Sequence, residues 1–268
     1  MNVIALSPWD LILAAGLVLL LAVLATRLRL GVSRQLVVNG IRMTIQLLLI
    51  GLVLDVIFGH TKLHWIALMA FVMLAVAGRE VMARQRRRFT GWWGYGMGAL
   101  SMFVSSFAVA ILSLTVIVAP EPWYQPQYAI PLLGMLLGNT MNGIALSLDR
   151  LTQSTWQQRA AIESRLMLGQ TRQEAMGGIM RDSMRSALTP TINAMAAAGI
   201  VSLPGMMTGQ ILAGASPIEA VKYQILIMFL IACGAGFGSM AAIWIAGKRL
   251  FDSRHRLRLD HLQPPRSG

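Results

Sequence analysis

Apolar stretches about as long as the hydrocarbon core of a bilayer recur along this chain of 268 residues. A helix needs about 20 apolar residues to cross that core, because each residue adds about 1.5 Å. The apolar runs are continuous rather than alternating, which excludes a transmembrane β-barrel. The sequence therefore predicts an all-α, polytopic helical membrane protein. We place seven spans at about residues 9–26, 40–58, 63–80, 92–119, 128–148, 188–213 and 221–247.

Composition and charge agree with a membrane protein. Only 13% of the residues are charged, whereas a soluble domain has about 25%. The net charge of +12 would suggest nucleic-acid binding in a soluble protein. Here, however, the predicted topology puts only Lys62 and Lys222 of the 23 basic residues on the outer side. The positive-inside rule then places the amino terminus outside and the carboxy terminus in the cytoplasm, and we expect no nucleic-acid partner.

We expect one transmembrane domain over residues 1–268, with a polar cytoplasmic segment at 149–187 and a basic cytoplasmic tail at 248–268. Inside the polar segment Gly169 is suited to end one helix. Thr171 and Glu174 have the spacing of a capping box, which starts the next helix. One face of that second helix is apolar (Met176, Ile179, Met180, Met184), and the other is charged (Arg172, Arg181, Asp182, Arg185). The segment is predicted to be a helix–turn–helix that lies against the membrane domain.

The spacing of Glu163, Gly169 and Ile179 resembles the Glu-Ala-Ala…Gly…Ile loop by which ABC-transporter permeases dock onto their ATPase subunits. It departs from that loop at Ser164 and Arg165, which replace the alanines, and at Arg181–Asp182, which replaces the closing Leu-Pro. The stretches LGQTRQEA, IMRDSMRSALTPTI and GIVSLPGMMTGQILAGASPIEAVKYQI closely resemble the FetB (YbbM-like) permease family. GMLLGNTMNG and the FDSRHRL tail also resemble it, so the resemblance covers nearly the whole chain.

That resemblance implies the permease subunit of a bacterial inner-membrane ABC transporter that exports iron. It implies a homodimer that works with a separate cytoplasmic ATPase, which would bind ATP and Mg, whereas we expect this chain to bind no cofactor. Another metal ion is an alternative cargo, and so is a nucleotide sugar, because plant aluminium-tolerance permeases are relatives. The implied coupling residues are Glu163, Gly169, Thr171, Arg172, Glu174, Arg181, Asp182 and Arg185.

The source of energy is a separate argument for a partner ATPase. The chain has no G-x-x-x-x-G-K-[ST] loop, and none of its three lysines is followed by Ser or Thr. A stand-alone secondary carrier or channel is the alternative. Ion-driven carriers usually hold a carboxylate deep in the bilayer, and here Asp55 could reach inward, so this alternative stays open. A membrane-embedded enzyme is disfavoured, because the sequence shows no paired acids, nucleophile–base pair or metal cluster.

Polar residues within the spans are candidates for a substrate pathway. Their amide oxygens could pass a cation without trapping it, or they could serve only as interhelical hydrogen-bond partners. Pro204 and Gly205 are predicted to break the sixth span, either beside a cavity or at a turn near the outer membrane edge. The candidate pathway residues are Asn139, Thr140, Asn142, Asn193, Pro204, Gly205 and Gln210, and we expect no resident metal site.

Overall fold

The computed structural model describes residues 7–58, 62–252 and 254–264, and within them the chain forms ten α-helices and no strand of a sheet. The prediction of an all-α protein is confirmed. The helices are α1 (Pro8–Arg27), α2 (Ser33–Phe58), α3 (Leu63–Arg84), α4 (Trp92–Met102), α5 (Ala108–Leu112), α6 (Pro126–Gln157), α7 (Arg159–Met167), α8 (Arg172–Ala197), α9 (Gly205–Leu212) and α10 (Pro217–Arg249).

The chain divides into two compact units. The first contains α1 and α2, which form a helical hairpin. Ser7 caps α1 in a reciprocal capping box with Asp10. The turn after α1 places both Arg29 and Gly31 at positive φ, and the Leu30 amide donates to the Ala25 carbonyl at 3.0 Å. The second unit contains α3 to α8, most of α9, and α10 with the residues that follow it.

Among the described residues, six stretches are long and apolar enough to cross a membrane: Pro8–Arg27, Ser33–Asp55, Leu63–Arg84, Trp92–Ile117, Pro126–Gln157 and Pro217–Arg249. They overlap six of the seven predicted spans. The exception is the predicted span 188–213, which is not one helix. There α8 ends at Ala197, an irregular stretch follows with Gly199 at a φ of +85°, and the eight-residue α9 begins at Gly205. The predicted interruption is present, but it starts seven residues before Gly205, at Ala198.

The stretch Trp92–Ile117 is a composite helix. Two π-helical segments, Phe103–Phe107 and Ser113–Ile117, flank α5 without interrupting the helix. π-Turns are rare and often mark functional positions in α-helices. Both segments have buried serines, Ser105 and Ser106 in the first and Ser113 in the second.

The core of the second unit is built around α6 and α10, which pack against each other and against α8. Leu148 and Leu151 of α6 and Ala242 of α10 are completely buried. The close approach of the two helices depends on Gly238, where an added Cβ would lie 2.6 Å from Thr140 Cγ2 and 2.7 Å from Ser105 Oγ. Small residues allow such close approach of packed membrane helices.

One end of the second unit, which we call the basic end, contains the carboxy-terminal ends of α3, α6 and α10. The amide of Arg86 donates to Asp149 Oδ1 at 2.8 Å, and the Arg87 guanidinium lies 3.9 Å from the centre of the Trp156 ring. The segment after α10 packs back onto this end. The Thr90 amide donates to the His261 carbonyl at 2.8 Å, and Leu262 is only 7% exposed.

Candidate coupling segment and membrane cavities

The first candidate site is α7, the turn after it and the first half of α8, which we call the elbow (residues 159–185). Gly169 has a φ of +87°. Its amide donates to the Leu166 carbonyl at 3.0 Å, and the Gln170 amide donates to the Arg165 carbonyl at 3.1 Å. These two bonds form a Schellman motif, in which a glycine at positive φ closes the end of a helix. The predicted turn at Gly169 is confirmed.

The start of α8 is closed by the predicted capping box. The Glu174 amide donates to Thr171 Oγ1 at 3.3 Å, and the Thr171 amide donates to Glu174 Oε2 at 2.7 Å. The hydrogen bond from the Thr171 amide, followed by that from its hydroxyl, lowers the pKa of the Glu174 carboxyl below its usual value. Hydrogen bonds thus satisfy the backbone on both sides of the turn, at the end of α7 and at the start of α8, and these bonds hold the two helices at a defined angle.

The elbow is anchored to the rest of the second unit through apolar contacts. Ile162 of α7 and Ala175, Met176 and Ile179 of α8 are buried in the same cluster as Leu148 and Leu151 of α6. Arg165 Nη1 also donates to the Ala175 carbonyl at 3.2 Å, which ties α7 to α8. A force on the elbow would therefore be passed to α6 and α8 rather than absorbed by a mobile loop.

The outer surface of the elbow has mixed charge. Glu163, Glu174, Arg181, Asp182 and Arg185 are exposed, and Arg172 is half-buried. Arg185 and Asp182 form an exposed ion pair at 3.3 Å, which leaves their charges accessible to a partner.

The tip of the elbow has an apolar pair that the sequence analysis missed. Met167 is 82% exposed and Leu168 is 83% exposed, immediately before the Schellman turn. Their position could have been a signal, because Met167 and Leu168 end an apolar run directly before the turn glycine of a polar segment. Large apolar side chains that are this exposed favour contact with a partner protein.

The second candidate site is a cavity of about 100 Å³ between α6, α8 and α10. Asn139 and Asn142 line it, three residues apart on one face of α6. Asn139 Nδ2 donates to the Met135 carbonyl at 2.8 Å, and Asn142 Oδ1 accepts a hydrogen bond from Arg84 Nη1. Pro190 and Thr191 of α8 form the facing wall.

A further cavity of about 130 Å³ lies between the second π segment, α6, α9 and α10. Gln210 and Met206 of α9 line it, together with Ser113. The buried atoms Gln210 Oε1 and Ser113 Oγ have no hydrogen-bond partner among the described residues. Buried oxygens of this kind are suited to bind water or a polar solute.

The predicted pathway residues are thus not one cluster. Asn139 and Asn142 share the first cavity, and Gln210 lines the other. Thr140 lies away from both cavities, completely buried, and its Oγ1 is 3.2 Å from Ser106 Oγ. Asn193 is exposed and lines neither cavity.

The loop before α9 contains the remaining predicted residues. Pro204 ends the irregular stretch, and its carbonyl accepts a hydrogen bond from the Thr208 amide at 3.1 Å. Gly205 is the first residue of α9. Over the described part of the chain, no group of three or more His, Cys, Asp or Glu side chains could hold a metal ion.

Residues 8–251, which include both candidate sites, match the model of a family described as "Uncharacterised protein family (UPF0014)". The chain belongs to this family. It is 38% identical over 233 residues to a UPF0014 membrane protein of Synechocystis, covering 85% of this chain and 87% of the relative. No solved structure matches it significantly.

Another UPF0014 relative confirms the resemblance inferred from the sequence. The chain is 30% identical to the "Probable iron export permease protein FetB" of Escherichia coli over 264 residues, 98% of this chain and 99% of the relative. It is also 31% identical to "Protein ALUMINUM SENSITIVE 3" of Arabidopsis thaliana over 246 residues, which cover 91% of this chain and 88% of the relative. The chain is therefore a multi-pass membrane protein of a family that includes a named permease.

Proposed function

We propose that this chain is the permease subunit of an ATP-driven ABC transporter that exports a metal ion, with iron as the first candidate. The ATPase would be a separate cytoplasmic subunit that binds ATP and Mg and docks on the elbow. The observation that carries this proposal is the elbow itself, a turn closed by a Schellman motif and a capping box and anchored in the core.

The surface of the elbow supports this docking role. The exposed pair Met167 and Leu168 would enter an apolar recess of the ATPase, because a few well-packed apolar anchors carry most of the energy of an interface. The charged side chains around the pair would set the orientation of the partner, because rim charges act mainly on specificity and on the association rate. Glu163 and Arg172 are the charges that we assign to this rim.

The elbow is linked to the candidate pathway along one helix. α8 begins at the capping box and continues to Pro190 and Thr191, which line the cavity that contains Asn139 and Asn142. A displacement of the elbow by the ATPase would therefore move one wall of this cavity relative to α6. Because proline removes a backbone hydrogen bond, Pro190 is where we expect α8 to bend.

The cargo proposal has two supports. The name of the Escherichia coli relative refers to iron export. Asn139 and Asn142 line the first cavity, and although Asn142 Oδ1 accepts a hydrogen bond from Arg84, the amide oxygen of Asn139 is a hard ligand that could pass a cation. A homodimer would let two chains form one shared pathway around a two-fold axis.

Transport by the purified chain together with its ATPase is the test of this proposal. We would reconstitute both proteins in vesicles and measure ATP-dependent flux of Fe²⁺, of other divalent metals and of a nucleotide sugar. The expected result is metal flux that requires both ATP and the ATPase. Metal flux by the permease alone would instead establish a secondary carrier or channel.

Docking is tested separately with a pair of matched variants. Leu168→Asp puts a charge on the exposed tip and should abolish co-purification of the ATPase. Ile200→Asp makes the same change at a residue that is 91% exposed in the loop after α8, and co-purification should persist. Equal recovery of the ATPase with both variants would refute docking at the elbow.

A further inference from the structure

An open apolar groove of about 510 Å³ runs between α8 and α10, separate from both polar cavities. Methionines and a tryptophan form most of its surface, and one basic residue stands at its edge. The lining includes Met180, Arg181 and Met184 of α8 and Met240, Ile243 and Trp244 of α10. Met240 is 49% exposed and Trp244 is 54% exposed, so no other part of the described chain covers the groove.

The register of α8 against α10 shows how the groove is oriented. An added Cβ at Gly247 would meet Met180, and one at Gly236 would meet Leu188. The two helices are therefore antiparallel, and Arg181 lies at about the level of Trp244 to Lys248. Met184 and Met240 lie deeper, because eight residues of helix separate Lys248 from Met240, a distance of about 12 Å.

The charges are at one end of the groove. Lys248 Nζ lies 3.3 Å from the centre of the Trp244 ring. Neither Lys248 nor Arg181 forms an ion pair with a carboxylate in the described part of the chain. Arg181 and the Trp244 ring line this end of the groove, Lys248 lies against that ring, and thioether and aliphatic surface lies below them.

We propose that this groove binds one anionic phospholipid. The headgroup phosphate would contact Arg181 and Lys248, and an acyl chain would lie along Met184, Met240 and Ile243. Three facts favour a lipid over a protein segment. α10 is long and apolar enough to span the membrane, tryptophan is enriched at the level of lipid headgroups, and basic pockets between membrane helices recognise anionic lipid headgroups. Methionine side chains are flexible enough to fit a mobile chain.

The test is native mass spectrometry of the purified full-length chain in detergent, with phosphatidylglycerol or phosphatidylcholine added. We expect one phosphatidylglycerol to remain bound and phosphatidylcholine to be lost at the same collision energy. The double variant Arg181→Gln/Lys248→Gln should weaken phosphatidylglycerol binding by about thirtyfold, equivalent to about 2 kcal/mol at about 1 kcal/mol per basic residue. The control Lys222→Gln/Arg254→Gln removes the same two charge types elsewhere and should bind as the parent does.

A second pair of variants tests the apolar part of the groove. Met240→Trp fills it without altering a charge and should displace the lipid, whereas Phe237→Trp, at an exposed residue of the same helix that does not line the groove, should not. The proposal is overturned if the Arg181/Lys248 variant retains the lipid, if phosphatidylcholine binds equally, or if inorganic phosphate displaces the lipid. It is also overturned if Met240→Trp dissociates a dimer that binds no lipid, because the groove would then hold a second copy of the chain.

Discussion

Replacing Gly169 with valine tests how much the backbone conformation of the elbow turn contributes to ATPase binding. An added Cβ at this residue would meet no atom within 4 Å, so the Cβ itself adds no steric overlap with the rest of the protein. The main obstacle is the φ of +87°, because a left-handed conformation costs a residue with a side chain about 1–2 kcal/mol. If the ATPase binds only the closed turn, its affinity for the valine variant should fall by about fivefold to thirtyfold, since 1.4 kcal/mol is tenfold.

Two further substitutions distinguish the effect of the backbone conformation at residue 169 from the effect of replacing a glycine in general. Gly169→Asn should bind with an affinity between those of the parent and the valine variant, because asparagine adopts positive φ more readily than most residues. Gly178→Ala changes a helical glycine with open space around it and should stabilise α8 by about 0.5–1 kcal/mol.

The assay is a titration of the purified ATPase onto each variant in lipid nanodiscs, together with the stimulation of ATP hydrolysis. Membrane insertion should be unchanged, because Gly169 lies outside the candidate spans. Parental affinity for Gly169→Val would refute the reasoning. Equal losses with asparagine and valine would show that the side chain, rather than the backbone, matters.

Other substitutions test the cap, the core and the tail. Thr171→Ala should destabilise the start of α8 by about 1 kcal/mol, detected as faster amide hydrogen exchange there; unchanged exchange would contradict it. The pKa of the Glu174 carboxyl is lowered, so its capping hydrogen bonds stabilise the folded state at neutral pH. This stabilisation should be lost as the pH falls from 4.5, the ordinary pKa of a glutamate carboxyl, through the lower pKa of the folded state. Glu174→Gln should abolish that pH dependence. Gly238→Val should destabilise the chain by about 1–3 kcal/mol in thermal unfolding, because its Cβ overlaps Thr140. Leu262→Ala should release the tail to proteases before the core unfolds, and equal cleavage times would refute its docking.

The apolar spans could be predicted because a helix that crosses the hydrocarbon core needs about 20 mostly apolar residues, and such runs can be read directly from the sequence. The elbow could be predicted because Gly169, Thr171 and Glu174 act through hydrogen bonds with near neighbours in the chain. The fifth span was predicted to end at about residue 148, and α6, the helix that contains it, continues to Gln157. Its last turns have Thr152 and Thr155, whose hydroxyls bond to carbonyls of their own helix, so polarity there does not indicate a loop.

The pathway residues were harder to predict, because the sequence alone does not give helix rotation. Asn139 and Asn142 share a face at i, i+3 spacing, which could have separated them from Thr140. Gln210 and Asn193 flank an irregular stretch, and no periodicity relates residues on its two sides. The Ala198 boundary was missed because alanine favours helix, whereas the helix ends in a turn in which Gly199 has a positive φ and its amide donates to the Ser202 carbonyl at 2.9 Å.

The two π segments of Trp92–Ile117 have a consequence for how this helix can change length during evolution. A residue inserted into an α-helix rotates everything after it by about 100°, because 3.6 residues make one turn. A π-turn accommodates such an extra residue locally, so the residues on both sides keep their faces toward the same neighbours. A homologue that lacks one residue in Phe103–Phe107 or Ser113–Ile117 should therefore have an unbroken α-helix there with the same packing. In such a comparison, a single-residue gap would record the removal of a π-turn rather than a change of topology.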